Sequence, residues 1–482
     1  MNDFNFSQAV AWREPVLRIK SLFFLIFCIA GCLQAQTSFK EPTSKKPSTK
    51  AGLTRLITLD PGHYHAALLQ KSMFPQIDST VDVYAPDGPD VKAHLEVINK
   101  FNTRSQDPTA WKEKLYTGPD YLDKMLKAEK PGGVVVIAGN NRKKTEYIKR
   151  SVDAGLNVLA DKPMAIKTTD FEVLRNAFSE AAKKKVLLYD IMTSRYEITN
   201  MLQKEFMQMP ELFGKLKQGT LEQPAVEMKR VHYFLKYVAG APLIRPVWYF
   251  DIEQEGNGIV DVTTHMVDLI QSACFPETIF KYKQDVKMIS AKRWATRINP
   301  TQFKAITNSD HYPSFLEKDI EDSILNVYAN GEMNYTLKGV HAKIIMQWDV
   351  KATDGNSDTH NSIFHGTLAN LVTRQGKEQQ YNLTLFIEAI SPEAKRKIQQ
   401  SLPNTLLKIE RKFPGITLKE TNKGWEVIVP EKYLKLREMN YEFVTNKYLQ
   451  YLQQGSMPEW EVSSMITKYY TTTQALEKAL KN

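Results

Sequence analysis

The stretch LITLDPGHYHAALL, residues 56–69, decides the fold of the first half of this 482-residue chain. Its first four residues form an apolar run of strand length, and the turn after them leads directly into helix-forming residues. Further strand-length apolar runs begin at residues 81, 134, 157 and 186, with amphipathic stretches between them. This alternation predicts five strands of a parallel α/β sheet that is covered by helices on both faces.

The pattern changes after residue 194, where longer strands of alternating polarity take over. Five are predicted, near residues 226–236, 322–337, 340–350, 362–374 and 380–388. Asn330-Gly331 offers a tight hairpin turn, and helices are expected at residues 262–273 and near 310–320. The second half therefore predicts an open, mostly antiparallel β-sheet.

The chain is expected to have five parts. Basic residues before the apolar run at residues 22–30 predict a signal peptide over residues 1–35. The predicted parts after it are a flexible tether at 36–53, a Rossmann dinucleotide-binding domain at 54–194, an open β-sheet substrate domain at 195–390 and a C-terminal extension at 391–482. In that extension, a helix–strand–strand module is expected at 392–429, with closing helices near 432–454 and 464–480.

The N-terminus also predicts where the protein resides. Ile29-Ala30-Gly31-Cys32 resembles a bacterial lipobox, so lipidation of Cys32 is favoured over an ordinary cut after Ala35. We expect an exported protein, either periplasmic or anchored to a membrane only through this lipid. The net charge of +10 comes from short basic runs mixed with acidic residues, so no nucleic acid partner is expected.

The turn after the first strand is the first candidate site, because backbone N–H groups at such a turn can bind a dinucleotide pyrophosphate. Gly62 stands where close backbone approach to phosphate is needed, and His63 and Tyr64 follow it. Asp87, 25 residues beyond Gly62, has the spacing of a ribose-binding carboxylate. Its Pro-Asp-Gly context is equally good turn chemistry.

Two further motifs carry candidate catalytic groups. Asp161-Lys162-Pro163 directly follows a predicted strand, where a lysine can hold a substrate hydroxyl. On a helix that starts near Asp261, residues 261, 265 and 268 share one face, which places His265 between two carboxylates. Such a row would orient the histidine and tune its basicity.

Together these motifs resemble those of the Gfo/Idh/MocA oxidoreductases, named for glucose-fructose oxidoreductase and inositol dehydrogenase. Asp161-Lys162-Pro163 is similar to their Glu-Lys-Pro motif, and residues 258–268 are similar to their Gly-Gly…Asp…His…Asp motif. The order and spacing match over about residues 54–275. The resemblance implies a Rossmann domain with an open-faced sheet, a bound NAD or NADP, and Lys162, Asp261 and His265 around a sugar or polyol hydroxyl.

The resemblance also implies roles for other residues. Ala138, Asn140 and Asn141 would form the cofactor loop after a strand, Asp161 would also contact the cofactor, and Arg195 would contact the substrate. Asp60 and His65 occupy positions where the family commonly has glycine, which predicts a changed seat for the pyrophosphate.

For the reaction, we expect His265 to accept the proton of a secondary hydroxyl while Lys162 stabilises the oxygen and the nicotinamide takes up hydride. Four further residues are predicted to contact the carbohydrate: His232, Lys236, Arg245 and Trp248. Because an exported protein meets no evident pool that reoxidises NADH, we expect tightly bound cofactor, with NAD favoured, and a redox-neutral reaction.

Alternatives remain open from the sequence. One is an NAD-dependent glycosidase that works by transient oxidation and elimination, and another is a non-catalytic carbohydrate-binding protein on a degenerate Rossmann scaffold. No metal site is predicted, because His63 with His65, and His360 with His365, lack the spacing of a known zinc pattern. A homo-oligomer is expected by resemblance.

Overall fold

The computed structural model describes residues 52–238, 241–352, 358–435 and 440–481. The predicted signal peptide at 1–35, with Cys32, and nearly all of the tether at 36–53 lie outside these residues. Within the described ranges, no helix has both the length and the apolar character needed to cross a membrane.

The first half is a parallel sheet with the strand order β3-β2-β1-β4-β5-β6. Its six strands are β1 (Thr54–Leu59), β2 (Ile77–Ala85), β3 (Lys112–Thr117), β4 (Val134–Ile137), β5 (Asn157–Asp161) and β6 (Leu188–Ile191). The helices of this half are α1 (His65–Leu68), α2 (Pro89–Thr103), α3 (Tyr121–Ala128), α4 (Lys144–Asp153) and α5 (Thr168–Lys184). Strands β4 and β5 are buried along their whole length, as expected for a sheet covered on both faces.

The sequence predicted five of these six strands and missed β3. This strand lies at the sheet edge and reads Lys-Glu-Lys-Leu-Tyr-Thr, with most of its side chains exposed. An edge strand with few apolar residues has no clear sequence pattern, and it forms because β2 offers its main-chain hydrogen bonds.

The second half is built on a ten-stranded sheet, whose main path runs β10-β12-β13-β7-β14-β15-β16-β18-β17. The strands after β6 are β7 (Val226–Leu235), β8 (Tyr237–Val238), β9 (Ala241–Pro242), β10 (Val286–Ile298), β11 (Ile320–Glu321), β12 (Ile324–Leu337), β13 (Val340–Lys351), β14 (Thr359–His365), β15 (Ala369–Gln375), β16 (Thr384–Ala389), β17 (Thr417–Thr421) and β18 (Gly424–Ile428). The helices after α5 are α6 (Ile198–Met207), α7 (Thr263–Cys274), α8 (Tyr282–Asp285), α9 (Pro300–Thr307), α10 (Pro392–Lys412), α11 (Glu431–Lys435), α12 (Asn440–Gln454) and α13 (Glu459–Leu480). Strand β13 runs parallel to β7, while the other paired strands of this sheet are antiparallel.

Several predictions in this half were wrong in detail. The long strand predicted at 362–374 is two strands, β14 and β15, and β10 was missed. The helix expected near 310–320 is a 3-10 turn at Ser314–Asp319, preceded by α9.

Asn330-Gly331 is not a hairpin turn but lies inside β12, and the turn between β12 and β13 is Lys338-Gly339, with φ values of +50° and +82°. Asn330 Nδ2 donates to the main-chain oxygen of Trp294, where the β10–β12 register shifts. A Cβ on Gly331 would lie 2.7 Å from Ile259 Cβ, so the glycine allows the motif loop to pack on the strand.

The C-terminal extension belongs to both halves of the fold. Its helix–strand–strand module has the predicted order, and β18 pairs with β16, so the module extends the large sheet. Helices α12 and α13 return to the Rossmann side, where Tyr448 and Tyr469 are buried in the same core as the strands β1, β2, β4 and β5. The extension therefore adds strands to the large sheet and side chains to the core of the Rossmann half.

Candidate active site

The centre of the site is an ion pair between the loop after β5 and the start of the α7 region. Lys162 Nζ donates a short hydrogen bond to Asp261 Oδ1. Only 11% of the Lys162 side chain and 4% of the Asp261 side chain are exposed. Burial alone would lower the pKa of Lys162, but Asp261 and Asp161 raise it above its usual range. The ammonium therefore stays protonated and fixed.

His265 lies in the first turn of α7, and its Nδ1 is 3.2 Å from Ser194 Oγ. Its Nε2 has no hydrogen-bond partner within the described part of the chain. Burial and the charge of Lys162 hold the pKa of His265 well below its ordinary value. The imidazole is thus neutral at pH 7, with a nitrogen lone pair available.

Asp261, His265 and Asp268 do not hydrogen-bond to one another as the predicted row would require. Asp261 is bound to Lys162, and Asp268 accepts two hydrogen bonds from Arg195, at 2.6 Å from Nε and 2.7 Å from Nη2. The two carboxylates satisfy cations on other elements, and Ser194 is the hydrogen-bond neighbour of the histidine. The sequence did not predict Ser194.

Arg195, which was predicted to contact the substrate, is bound by two carboxylates of the protein. Besides Asp268, its Nη1 donates to Glu461 of α13 at 2.9 Å. Three of its guanidinium nitrogens are committed to these two carboxylates, and 13% of its side chain is exposed. Arg195 belongs to a buried charge network that holds α7 against α13.

Lys468 of α13 completes this network. Its Nζ, with a side chain that is 0% exposed, lies 2.7 Å from both Asp190 and Asp268. Tyr469 OH donates to Asp190 at 2.8 Å. No sequence motif pointed to these residues, since Lys468 follows Asp268 by 200 positions.

Aromatic and charged residues form a wall next to Asp261. The guanidinium of Arg245 lies 4.9 Å from the ring centroid of Tyr249 and 5.0 Å from that of Trp348. A small cavity is lined by Tyr249, Trp348 and Asp261. Arg245, one of the predicted carbohydrate contacts, therefore lies beside the two aromatic rings of this wall. Its guanidinium can donate hydrogen bonds to a polar ligand there.

His232 and Lys236 both bind the same carboxylate. His232 Nδ1 lies 2.7 Å and Lys236 Nζ 2.9 Å from Asp358 Oδ2. The ring of His232 stacks on Trp348 at 5.0 Å, which joins this trio to the aromatic wall. Asp358 is a polar group that the sequence did not predict.

The turn between β1 and α1 differs from a glycine-rich phosphate turn. The N–H groups of Gly62 and His63 both donate to the main-chain oxygen of Ala138, each at 3.2 Å. Asp60 adopts φ +49°, the left-handed conformation that favours glycine, and Tyr147 OH donates to its carboxylate at 2.7 Å. The turn is thus stabilised from within the protein.

Trp248, which was predicted to contact the carbohydrate, packs beside this turn and against the ring of Tyr249, with the two ring centroids 6.3 Å apart. Its Nε1 donates to Asp90 Oδ2 at 2.8 Å, and its side chain is buried. A Cβ placed on Gly62 would lie 3.0 Å from Asp90 Oδ2 and 3.4 Å from Trp248 Cζ2. These two side chains fill the space beside Gly62.

The predicted cofactor loop after β4 binds a neighbouring loop. Asn140 Nδ2 donates to Gln254 Oε1 and Asn141 Nδ2 to the main-chain oxygen of Glu255, each at 2.7 Å. Both asparagines thereby position the segment before the Asp261 motif. Asp87 lies in the turn after β2, with 72% of its side chain exposed and Lys92 at 3.7 Å.

Three ligand-type side chains meet at the end of β5. His63 Nδ1 lies 3.2 Å and His65 Nδ1 2.8 Å from Asp161 Oδ2. Burial and then the neighbouring His65 lower the pKa of His63 to about 3, so its imidazole is neutral. Tyr64, between the two histidines, is 57% exposed.

The chain belongs to the oxidoreductase family with an NAD-binding Rossmann fold. The family model described as "Oxidoreductase family, NAD-binding Rossmann fold" matches residues 62–190. The family model described as "Putative oxidoreductase C terminal domain" matches residues 202–480. This bears out the resemblance to Gfo/Idh/MocA oxidoreductases that the motifs indicated. No match is found among curated proteins.

Solved structures agree with this assignment. A crystal structure described as a putative oxidoreductase from Parabacteroides merdae is 48% identical, with a TM-score of 0.87, and the match covers 89% of this chain and 98% of that one. Levoglucosan dehydrogenase in complex with NADH is 12% identical, with a TM-score of 0.54 and coverage of 89% and 97%. A 3-ketoreductase from Actinomadura kijaniata, a mutant in complex with NADP and TDP-benzene, is 13% identical, with a TM-score of 0.52 and coverage of 89% and 98%. The latter two show the shared fold.

The family implies a nicotinamide dinucleotide, and the β1–α1 turn tests this. The second glycine of the usual motif leaves room for the pyrophosphate, but here Asp90 and Trp248 fill that room beside Gly62. The carboxyl groups of Asp60 and Asp90 also lie there, and burial, together with the nearby Asp60 in the case of Asp90, raises their pKa. A pyrophosphate at this turn would therefore have to lie away from the space beside Gly62, in a different position from the usual one.

Proposed function

We propose that this protein is an oxidoreductase that acts on a secondary hydroxyl of a sugar, polyol or glycoside, or on the corresponding ketone. The observation that carries the proposal is the buried pair of Lys162 and Asp261 next to a neutral His265. A fixed ammonium stabilises negative charge on a substrate oxygen, and a neutral imidazole accepts a proton.

The contacts of each group support a division of roles. Lys162 cannot serve as the base, because Asp261 and Asp161 keep its ammonium protonated. His265 is able to accept the hydroxyl proton at Nε2, while Ser194 near Nδ1 fixes the ring. We propose Asp261 as the group that positions Lys162.

A carbohydrate fits the surroundings of this pair. The rings of Tyr249 and Trp348 offer apolar faces for the C–H surface of a sugar, and Arg245 offers hydrogen-bond donors beside them. Asp358, held by His232 and Lys236, supplies carboxylate oxygens that can accept from sugar hydroxyls.

The roles are tested by three lysine and histidine variants of the purified protein. Sugars, polyols, glycosides and their keto forms are incubated with the protein, and the products are identified by mass spectrometry. Lys162→Met and His265→Gln should each lower turnover by at least about 100-fold. The control is Lys167→Met, an exposed lysine in the same loop, which should keep wild-type turnover. Turnover that survives Lys162→Met would contradict the proposal.

For the cofactor, we propose NAD rather than NADP, tightly bound and recycled within a redox-neutral reaction. Asp87 at the end of β2 supports NAD, since a carboxylate there repels a 2′-phosphate. Denatured protein should release one equivalent of NAD(H), identified by mass spectrometry. Release of NADP(H), or NADH that accumulates in step with product, would contradict this part.

The filled space beside Gly62 favours a second candidate, a non-catalytic carbohydrate-binding protein. This candidate predicts sugar binding by calorimetry together with no released nucleotide and no response to added nucleotide. Released nucleotide with turnover that depends on Lys162 would exclude it.

A further inference from the structure

Two histidines and an aspartate converge where β1 and β5 end. His63 and His65 come from the turn after β1, and Asp161 is the last residue of β5, 96 positions after His65. One ligand atom of each side chain lies within 4.8 Å of the other two. The ring centroids of the two histidines are 4.0 Å apart. The fold therefore gathers two nitrogen donors and one carboxylate at one point.

Some polar atoms of this cluster have no hydrogen-bond partner, although His65 Nδ1 and Asp161 Oδ2 are hydrogen-bonded to each other at 2.8 Å. Asp161 Oδ1 is buried and has no hydrogen-bond partner among the described residues, and His63 Nδ1 lies 3.2 Å from Asp161 Oδ2 without the geometry of a hydrogen bond. Asp161 as a whole is only 2% exposed. Tyr441 OH is likewise buried and unpartnered, and the ring of Tyr441 lies 4.9 Å from that of His65. A buried polar atom without a partner calls for an explanation, and a bound ion is one that also fits the donor types gathered here.

The two nearby lysines attract the Asp161 carboxylate electrostatically, but neither forms an ion pair with it. Lys162 Nζ is bound to Asp261, and Lys144 Nζ donates at 3.2 Å to the main-chain oxygen of Asp161. The carboxylate thus faces two imidazoles with no committed cation.

Ligand spacing fits a small divalent cation. Metal–ligand bonds of about 2.0–2.1 Å at tetrahedral angles place two ligand atoms about 3.3 Å apart. The separations of His63 Nδ1 and His65 Nδ1 from Asp161 Oδ2, 3.2 and 2.8 Å, are close to this distance. Two imidazoles and a carboxylate are donors that zinc and other first-row divalent metals prefer, with further coordination positions left open.

We propose that His63, His65 and Asp161 form a binding site for one first-row divalent cation, such as zinc, with the ring of Tyr441 packed beside His65. The cation would also neutralise charge at a turn where Asp60 and Asp90 carry carboxylates. The site is distinct from the Lys162–Asp261 pair, because Asp161 and Lys162 use their side chains for different partners. It does not depend on the proposed function.

The test measures zinc binding to untagged protein that has been freed of metal with a chelator. Competition with a chromogenic chelator gives the affinity, and elemental analysis gives the stoichiometry. Wild type should bind one equivalent, and His63→Gln and Asp161→Asn should each weaken binding by at least about 100-fold. His63 tolerates substitution because 21% of its side chain is exposed, and circular dichroism verifies the fold of each variant.

His94→Gln is the matched control, because His94 is also a buried histidine near a carboxylate, 3.9 Å from Glu113, but lies outside the cluster. It should bind zinc as the wild type does. Absence of zinc binding by wild type, or equal binding by His63→Gln and His94→Gln, would overturn the proposal. Lys162→Met should lose turnover and keep the metal, so that failure of one proposal is separable from failure of the other.

Discussion

Lys468 provides the sharpest test of how the C-terminal helix stabilises the site. Its Nζ lies 2.7 Å from Asp190 and 2.7 Å from Asp268, and all three side chains are at most 2% exposed. The substitution Lys468→Met keeps a similar length and removes the charge. Asp268 retains Arg195, but among the described residues the Asp190 side chain retains only the hydroxyl of Tyr469 as a hydrogen-bond donor.

Breaking a buried ion pair by removing one partner costs about 3–5 kcal/mol, because it leaves a buried charge uncompensated. We therefore expect Lys468→Met to lower the free energy of unfolding by this amount. The loss should depend on pH. Burial already raises the pKa of Asp190 while Lys468 opposes that rise, so without Lys468 the pKa rises further. The folded variant then binds a proton more tightly than the unfolded chain, and its stability falls as pH increases.

Urea unfolding followed by circular dichroism at several pH values measures both effects. Lys478→Met, on the same helix but exposed, should change the free energy of unfolding by no more than about 0.5 kcal/mol. The double variant Lys468→Met with Asp190→Asn should recover part of the loss, because it removes the unpaired carboxylate. A loss by Lys468→Met as small as that of Lys478→Met would refute the reasoning.

Three further outcomes are expected. Gly258→Ala should destabilise the fold by about 3 kcal/mol in urea unfolding, because the added Cβ would lie 1.7 Å from a main-chain oxygen of β12. The control Gly376→Ala should be nearly neutral, because the nearest atom to its added Cβ is 3.7 Å away. Burial lowers the pKa of His94 to about 4, so stability should fall as pH drops below about 6.5, and His94→Gln should make this slope shallower in thermal unfolding. Ser194→Ala should lower kcat about tenfold with little change in KM, since His265 loses its orienting neighbour, and an unchanged kcat would argue against that role.

The sequence was able to predict those site residues that belong to a short motif with recognisable chemistry. Lys162 follows a buried strand, and Asp261 and His265 lie one helical turn apart in a single motif, so local pattern was sufficient to select them. The residues that contact these groups could not be predicted from the sequence. Ser194 is 71 positions from His265, and nothing in the local sequence joins the two.

The same limit applies to residues whose partners lie far along the chain. Arg195, Asp268 and Trp248 have the residue types of a ligand site, but the fold uses them against Glu461, Lys468 and Asp90. An arginine or tryptophan in a turn can face a ligand or another part of the chain, and only the packing of α13 and of the 3-10 turn at Val247–Phe250 decides between these. The residue types of Asn330-Gly331 favour a turn. In the structure the pair lies in a strand, where Gly331 packs against Ile259.

The sequence by itself determined the strand and helix periodicity, hence the Rossmann sheet and the large second sheet, because hydrophobic periodicity reflects burial within one element. It also determined the Lys162, Asp261 and His265 motifs, whose spacing is local. Only the tertiary structure decided that Trp248 and Asp90 fill the space beside Gly62 and that Asp161 meets His63 and His65. Such meetings depend on how distant segments pack, and a pattern read along the chain carries no information on distances across it.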